Sequence, residues 1–203
     1  MGADPTHQKR ALRAELRERR RIRTAPERKA ATDGFTGQLT GLTERLGARS
    51  VSCYLSAPDE PNTRPFVGWA RENGIRVLFP ISREDGLLDW TTATPGGEEY
   101  IGLYGMPEPV GEPLGPIAIN DVDLIVVPAA AVDRSGMRLG WGRGYYDKTL
   151  GSMEQCPPVY GVVFDSEFVD EVPRERHDQA LDGVVTPTRT VEFSTRSARR
   201  RRI

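Results

Sequence analysis

Apolar positions along the chain change their period several times, and each change marks an element. In residues 7–23 (HQKRALRAELRERRRIR), Leu12 and Leu16 form one stripe in a charged run, which predicts an Arg-rich helix. Thr24 and Glu27 then make a capping box with Pro26 in the first turn. A second helix should run from there to about residue 46, where Gly47 stops it. RSVSCYL (49–55) alternates and is rich in β-formers, so a strand is expected. Asn62 or Thr63 caps a third helix with Pro65 in its first turn, ending at Asn73 and Gly74, and IRVLFP (75–80) predicts the next strand. DLIVVP (123–128) is continuously apolar, as a strand buried on both faces of a parallel sheet must be. A short helix over 144–153, then strands over 158–164 and 183–188, complete the alternation. Such alternation predicts an α/β domain of three layers with a mostly parallel sheet and an N-terminal helical extension. The domain should occupy residues 1–190, with a basic tail over 191–203. Residues 82–116 break the pattern: they are rich in Gly, Pro and acidic residues, with one short strand over 87–91. A loop that long predicts a functional segment or lid.

Composition narrows the classes. A chain of 203 residues suits one domain with a full core. Its formal net charge of -1 exerts no global pull on nucleic acid, and the basic segments at 1–30 and 199–202 read as solvated ends. No helix–turn–helix or RNA-binding aromatic pattern accompanies them, so no nucleic-acid partner is expected. Cys53 and Cys156 lack CxxC spacing and read as reduced thiols, which predicts a cytoplasmic protein. The charged N-terminus lacks an apolar signal region, and 124–132 is too short to span a bilayer, so no membrane association is expected. A monomer is expected.

The chemistry concentrates in RLGWGRGYYDKTL (138–150). Gly140, Gly142 and Gly144 alternate, so successive N–H groups can turn towards one concavity. Arg138 and Arg143 favour an anion there, most simply a phosphate. Asp147 would repel that anion unless a metal ion sat between them. The stretch therefore reads as a polyphosphate cradle with a metal-holding carboxylate. It is neither a Walker loop nor the dinucleotide fingerprint, which would need glycine where Tyr145 stands. Asp147 reads equally as a first-turn carboxylate answering the helix dipole, and Tyr145 as a packing aromatic. In an open α/β sheet this loop falls at the carboxyl ends of the strands, where ligands bind.

VDLIVVPAAAVDRSGMRLGWGRGYYDKTL (122–150) resembles the signature region of the 5-formyltetrahydrofolate cyclo-ligase family. Lys9 with Arg13 matches that family's amino-terminal K-x-x-x-R, LSAPDEPNT (55–63) its first strand and loop, and 161–186 its end. Over 82–116 the likeness is weak apart from YGMPEP (104–109), and beyond Thr190 there is none. The resemblance implies an α/β fold and conversion of 5-formyltetrahydrofolate and ATP to 5,10-methenyltetrahydrofolate, ADP and phosphate with Mg²⁺. It implies that Lys9 and Arg13, otherwise a solvated i,i+4 pair, reach the nucleotide phosphates. Arg138, Leu139, Gly140, Trp141, Gly142, Arg143, Gly144, Tyr145 and Tyr146 become the nucleotide loop. Trp141 to Tyr145 also correspond to folate contacts. Arg138, Arg143 and Tyr145 are the candidate catalytic residues. Leu55 and Glu60 match substrate positions, Glu60 accepting from the pterin's N–H donors. Asp147 and Asp182 match Mg²⁺ ligands. Arg143 stands where the family often has Lys, so its planar fork changes the phosphate contact. His177 with Asp178 reads as structural or exposed rather than as an acid–base pair, and Asp133 as a group behind the cradle. Two rival readings use the same features. A sugar-phosphate isomerase or CoA transferase on a similar sheet would need neither ATP nor Mg²⁺, and a nucleic-acid-binding protein would grip through the Arg-rich ends.

Overall fold

A computed structural model of the chain describes residues 4–93, 97–175 and 178–193. The chain begins with helices α1 (Pro5–Arg21) and α2 (Ala25–Leu46), then β1 (Ser50–Ser52), α3 (Arg64–Glu72), β2 (Arg76–Ser82) and β3 (Leu88–Thr91). Three short strands follow: β4 (Glu99–Ile101), β5 (Pro107–Pro109) and β6 (Pro113–Leu114). Next come β7 (Leu124–Pro128), β8 (Ala131–Asp133), β9 (Arg138–Leu139) and α4 (Tyr145–Ser152). Strands β10 (Val159–Val162), β11 (Phe168–Val169), β12 (Gly183–Val185) and β13 (Thr190–Glu192) complete the described chain.

The helices start and stop where local chemistry dictates. Asp4 caps α1 by accepting from the Thr6 amide at 3.1 Å. The Thr24 amide donates to Glu27 Oε2 at 2.7 Å while the Glu27 amide reaches back to Thr24 Oγ1, which starts α2 afresh. Gly47, at φ 62°, ends it in a left-handed turn. Among the described residues no helix is long and apolar enough to cross a membrane.

The main sheet has the order β13-β12-β10-β7-β1-β2-β3-β6. Its inner strands, β12 through β2, are parallel, and antiparallel strands close both edges. The apolar run of β7 lies at the centre, with Leu124 to Val127 fully buried. On one face α2 and α3 bring Phe35, Leu39 and Phe66 against Val51, Val126 and Val162. On the other, Tyr146 and Leu150 of α4 and Ile119 pack on Ile125, Val127 and Val184. Emptying such a buried site, as in Phe35→Ala, costs about 3–5 kcal/mol. Helix α1 stands apart from both layers. Its Leu16 packs on Ala130, Ala131 and Leu139 beside a small sheet of order β11-β8-β9, which lays α1 along the loop that follows β9.

Several expectations change. Residues 53–55 leave the β1 ladder early, although the Cys53 amide still donates to Leu78 O at 2.9 Å, and this frees Leu55 to face a cavity. The 82–116 segment is not a loop: it carries the expected β3, a β4–β5 hairpin and the edge strand β6. Strands β4, β5 and β6 are two or three residues long and include Pro107, Pro109 and Pro113, so no alternation betrays them. The sheet also crosses the expected boundary at residue 190, because Val191 pairs with Val184. The tail from 194 onwards, and His177, lie outside the described residues.

Candidate functional site

A cavity of about 600 Å³ opens at the carboxyl ends of β1, β2 and β7, where Tyr54, Leu55, Pro80, Ser82 and Pro128 line it. That volume suits a small-molecule or cofactor site. One wall is helix α1. Thr6, Lys9, Arg13, Arg17 and Arg20 all line the cavity, at spacings of three and four that put them on one helical stripe. The Lys9 ammonium, 5% exposed, donates to Glu175 Oε2 at 2.6 Å and to Asp178 Oδ2 at 2.7 Å. Burial disfavours its charge, but the bonds to Asp178 and Glu175 outweigh burial and hold its pKa above the ordinary value. Arg13 Nε donates to Gly140 O at 2.7 Å, and burial lowers its pKa. Arg20 is fully buried; its Nε and Nη2 each meet a Glu167 carboxylate oxygen at 2.7 Å, and Nη2 also donates to Ala129 O at 2.7 Å. The Arg17 and Arg20 guanidiniums lie 5.3 and 4.9 Å from the centre of the Trp141 ring, which fixes the indole against α1.

The facing wall is the 138–147 loop. Gly142 and Gly144 take φ values of 96° and 72°, which glycine adopts without strain. Gly140 is needed for a different reason: a Cβ there would stand 2.7 Å from Arg138 Nη1. Arg138 is nearly buried and donates through Nη2 to Asp147 Oδ1 at 2.8 Å and through Nη1 to Pro128 O at 3.3 Å. Leu139, expected in the nucleotide loop, does not line the cavity: its side chain packs in the core with Leu16 and its carbonyl accepts from the Ala130 amide at 2.7 Å. Tyr146 lines the cavity with a buried phenol, which burial pushes far above the ordinary value. Tyr145 donates to Arg83 O at 2.8 Å, and desolvation raises its phenol too. Arg143 lines the cavity with its guanidinium carbon over the Tyr104 ring, 3.7 Å from its centre.

Leu55 and Glu60 line the same cavity beyond the cradle. Glu60 Oε2 accepts from the Ala57 amide at 3.0 Å, yet burial dominates and raises its carboxyl pKa. Behind the cradle, fully buried Asp133 accepts from the amides of Ser135 at 2.8 Å, Met137 at 3.1 Å and Val172 at 3.2 Å. Burial opposes its charge, but these bonds and the Ser135 hydroxyl together hold its pKa below the usual carboxylate value. It pins the turn that launches β9 and so aims the loop.

Asp182 is placed elsewhere. Its Oδ2 accepts from the Val159 amide at 2.9 Å, and its own amide donates to Val159 O at 2.9 Å. Val159 begins β10, so Asp182 stands at the amino end of a strand while the cavity lies at the carboxyl ends. The expected pairing of Asp182 with Asp147 is therefore not what this fold builds. Asp182 directly precedes β12, which runs parallel to β10, so it sits where these strands begin.

A sequence model of the 5-formyltetrahydrofolate cyclo-ligase family matches residues 5–187, a span that takes in both cavity walls. The chain belongs to that family. It is 37% identical over 185 residues to the 5-formyltetrahydrofolate cyclo-ligase of Mycolicibacterium smegmatis, covering 89% of this chain and 94% of the relative. It is 28% identical over 182 residues to the Escherichia coli K12 enzyme of the same name, covering 88% of this chain and all of the relative. The NMR structure of Aquifex aeolicus 5,10-methenyltetrahydrofolate synthetase superposes with a TM-score of 0.76 at 26% identity, covering 92% of this chain and 93% of that one.

For a cyclo-ligase the cation-binding potential of the cavity matters. Among the described residues no group of three or more His, Cys, Asp or Glu side chains could cage a metal ion. A Mg²⁺ carried on phosphate oxygens and water needs only one or two protein carboxylates. Asp147, partly exposed in the cavity beside Arg138, fits that role; Asp182 does not. Several cavity residues escaped the sequence reading. Arg17 and Arg20 simply continue the stripe begun by Lys9 and Arg13, a signal hidden by the abundance of arginine in α1. Tyr104 and Glu108 sit within YGMPEP, the one matching stretch of 82–116. Glu175 had no local signal, because its partner Lys9 is 166 residues away.

Proposed function

We propose that this chain cyclises 5-formyltetrahydrofolate to 5,10-methenyltetrahydrofolate with ATP and Mg²⁺, releasing ADP and phosphate. One observation carries the reading: a single cavity holds an anion cradle flanked by Arg13 and Arg138 and, beyond it, the half-buried acceptor Glu60 beside Leu55. Two ligands that must react with each other need such a shared space.

The reaction has to convert a formyl oxygen, a poor leaving group, into a good one. That oxygen attacks the γ-phosphorus of ATP, and the bond from phosphorus to the bridging oxygen breaks to release ADP. The formyl carbon, now an iminium phosphate, is attacked by N10. Its C–O bond breaks to release phosphate, and N10 loses its proton. Each step asks for alignment and charge stabilisation rather than a covalent enzyme intermediate. The Gly140, Gly142 and Gly144 backbone and the Arg13 and Arg138 guanidiniums would take the phosphoryl oxygens. When bound, Mg²⁺ would neutralise phosphate charge, with Asp147 as its protein ligand. Glu60 would orient the pterin through its N–H donors, and Trp141, pinned on α1, would cover the junction between the ligands. Lys9 serves this wall indirectly here, since its charge is already shared by Glu175 and Asp178, tying α1 to those two carboxylates.

The test is the rise of 5,10-methenyltetrahydrofolate absorbance from 5-formyltetrahydrofolate. Product should form only with ATP and Mg²⁺ both present. Turnover without ATP, or none with all components, ends the proposal.

A further inference from the structure

Tyr104 is the one residue other than glycine, among those described, with a positive φ (62°, ψ 22°). It occupies the tip of the β4–β5 hairpin beside Gly105, which is left-handed too at φ 77°. A bulky side chain on a left-handed backbone is an outlier, and such strain gathers where function holds it. The turn itself does not call for tyrosine. Its closing bonds, Gly102 N–H to Met106 O at 2.8 Å and Met106 N–H to Leu103 O at 3.4 Å, are backbone bonds that glycine at 104 would leave intact. Core packing does not call for it either, since the residue is 54% exposed. What the ring touches belongs to the cavity: the Arg143 guanidinium at 3.7 Å and the Tyr145 ring at 6.3 Å, inclined by 51°. The base of the hairpin is anchored. Glu108 accepts from the Ser82 amide at 2.8 Å and the Tyr100 hydroxyl at 2.9 Å, and Gly102 lacks the Cβ that would collide with its carboxylate. An anchored hairpin thus presents a strained aromatic ring at the cavity mouth.

We propose that Tyr104, with Tyr145 and the Arg143 guanidinium over its ring, is a stacking wall that holds the planar heteroaromatic ring of one of the two substrates. Only the identity of that ring rests on the proposed reaction. Adenine and the pyrimidine ring of the pterin share the required chemistry, a flat π-surface that stacks on aromatic and guanidinium planes.

The test uses the full chain with Tyr104→Gly and Tyr104→Phe. Calorimetry measures ATP and 5-formyltetrahydrofolate binding separately, beside a thermal melt. Tyr104→Gly should melt at or above the wild-type temperature, because glycine accepts the turn without strain. Its affinity for one ligand should fall at least about tenfold, the usual scale of base–aromatic stacking, and the other should change less than about twofold. Tyr104→Phe should bind both ligands like the wild type. A lower melting temperature with unchanged binding would make the ring a structural element and end the proposal. Equal weakening of both ligands would mean that Tyr104 acts only by placing Arg143. A Tyr104→Phe variant as weak as Tyr104→Gly would transfer the role to the hydroxyl. If the wild type binds neither ligand, the proposed reaction falls as well. If it binds and converts both while Tyr104→Gly matches it, only the stacking wall is lost.

Discussion

The two long walls of the cavity are held by different means. The 138–147 loop is shaped from within: left-handed glycines at 142 and 144, a missing Cβ at 140, and the short-range pair Arg138–Asp147. Helix α1 is shaped locally only as a helix. Its position depends on partners far along the chain, Glu175 and Asp178 for Lys9 and Glu167 for Arg20. A wall built by local geometry should fail in function before it fails in stability. A wall docked by buried ion pairs should fail in stability first.

The largest expected effect breaks the docked wall. Glu167→Ala leaves the Arg20 guanidinium buried without its carboxylate and should destabilise the fold by about 3–5 kcal/mol in urea titration. The double change Arg20→Leu with Glu167→Leu should recover much of that loss, since a buried pair is often replaceable by apolar packing. Little recovery would show that the pair itself orients α1. Next comes Asp147→Asn, which should lower kcat on the order of 10²-fold and raise the Mg²⁺ requirement with only a small shift in melting temperature. Asp182→Asn sharpens the contrast: with its carboxylate on the Val159 amide, it should lower the melting temperature and keep the Mg²⁺ dependence. The reverse pattern would move the cation to Asp182.

A smaller effect tests the loop alone. Gly142→Ala forces a side chain onto a backbone at φ 96°, with its Cβ 3.4 Å from the Arg13 guanidinium. It should cost about 1–3 kcal/mol of stability and raise the KM for ATP more than that for the folate. The gentlest probe is acid. Asp133 has a lowered folded pKa, so its contribution is present above the unfolded value near 4 and disappears as pH falls through the folded value. Chemical denaturation from pH 5 to pH 2 should show that slope in the wild type and a shallower one in Asp133→Asn.

The central parallel strands, the capping box at Thr24 and the glycine stop at 47 were legible because each depends on residues close in sequence. The left-handed turns at Gly142 and Gly144 were legible for the same reason. The β4–β5 hairpin was not, since three-residue strands carrying Pro107 and Pro109 have no readable period and owe their place to Glu108 and Tyr100. Arg143 was expected over phosphate because charge alone was visible. The structure lays it on Tyr104, a contact between segments 39 residues apart in number.

From the sequence alone came the α/β alternation, the family resemblance and the glycine-arginine-aspartate grouping of one site wall, all of which are encoded in spacings of a few residues. Only the tertiary structure decided what stands opposite that wall. It turned α1 so that Lys9, Arg13, Arg17 and Arg20 face the cavity, and it sent Asp182 to the amino end of β10. The physical reason is that a helix or strand boundary says where an element ends but not which end of the sheet it meets. That choice is made by long-range packing and buried ion pairs, whose partners lie too far apart in the chain for any local pattern to record them.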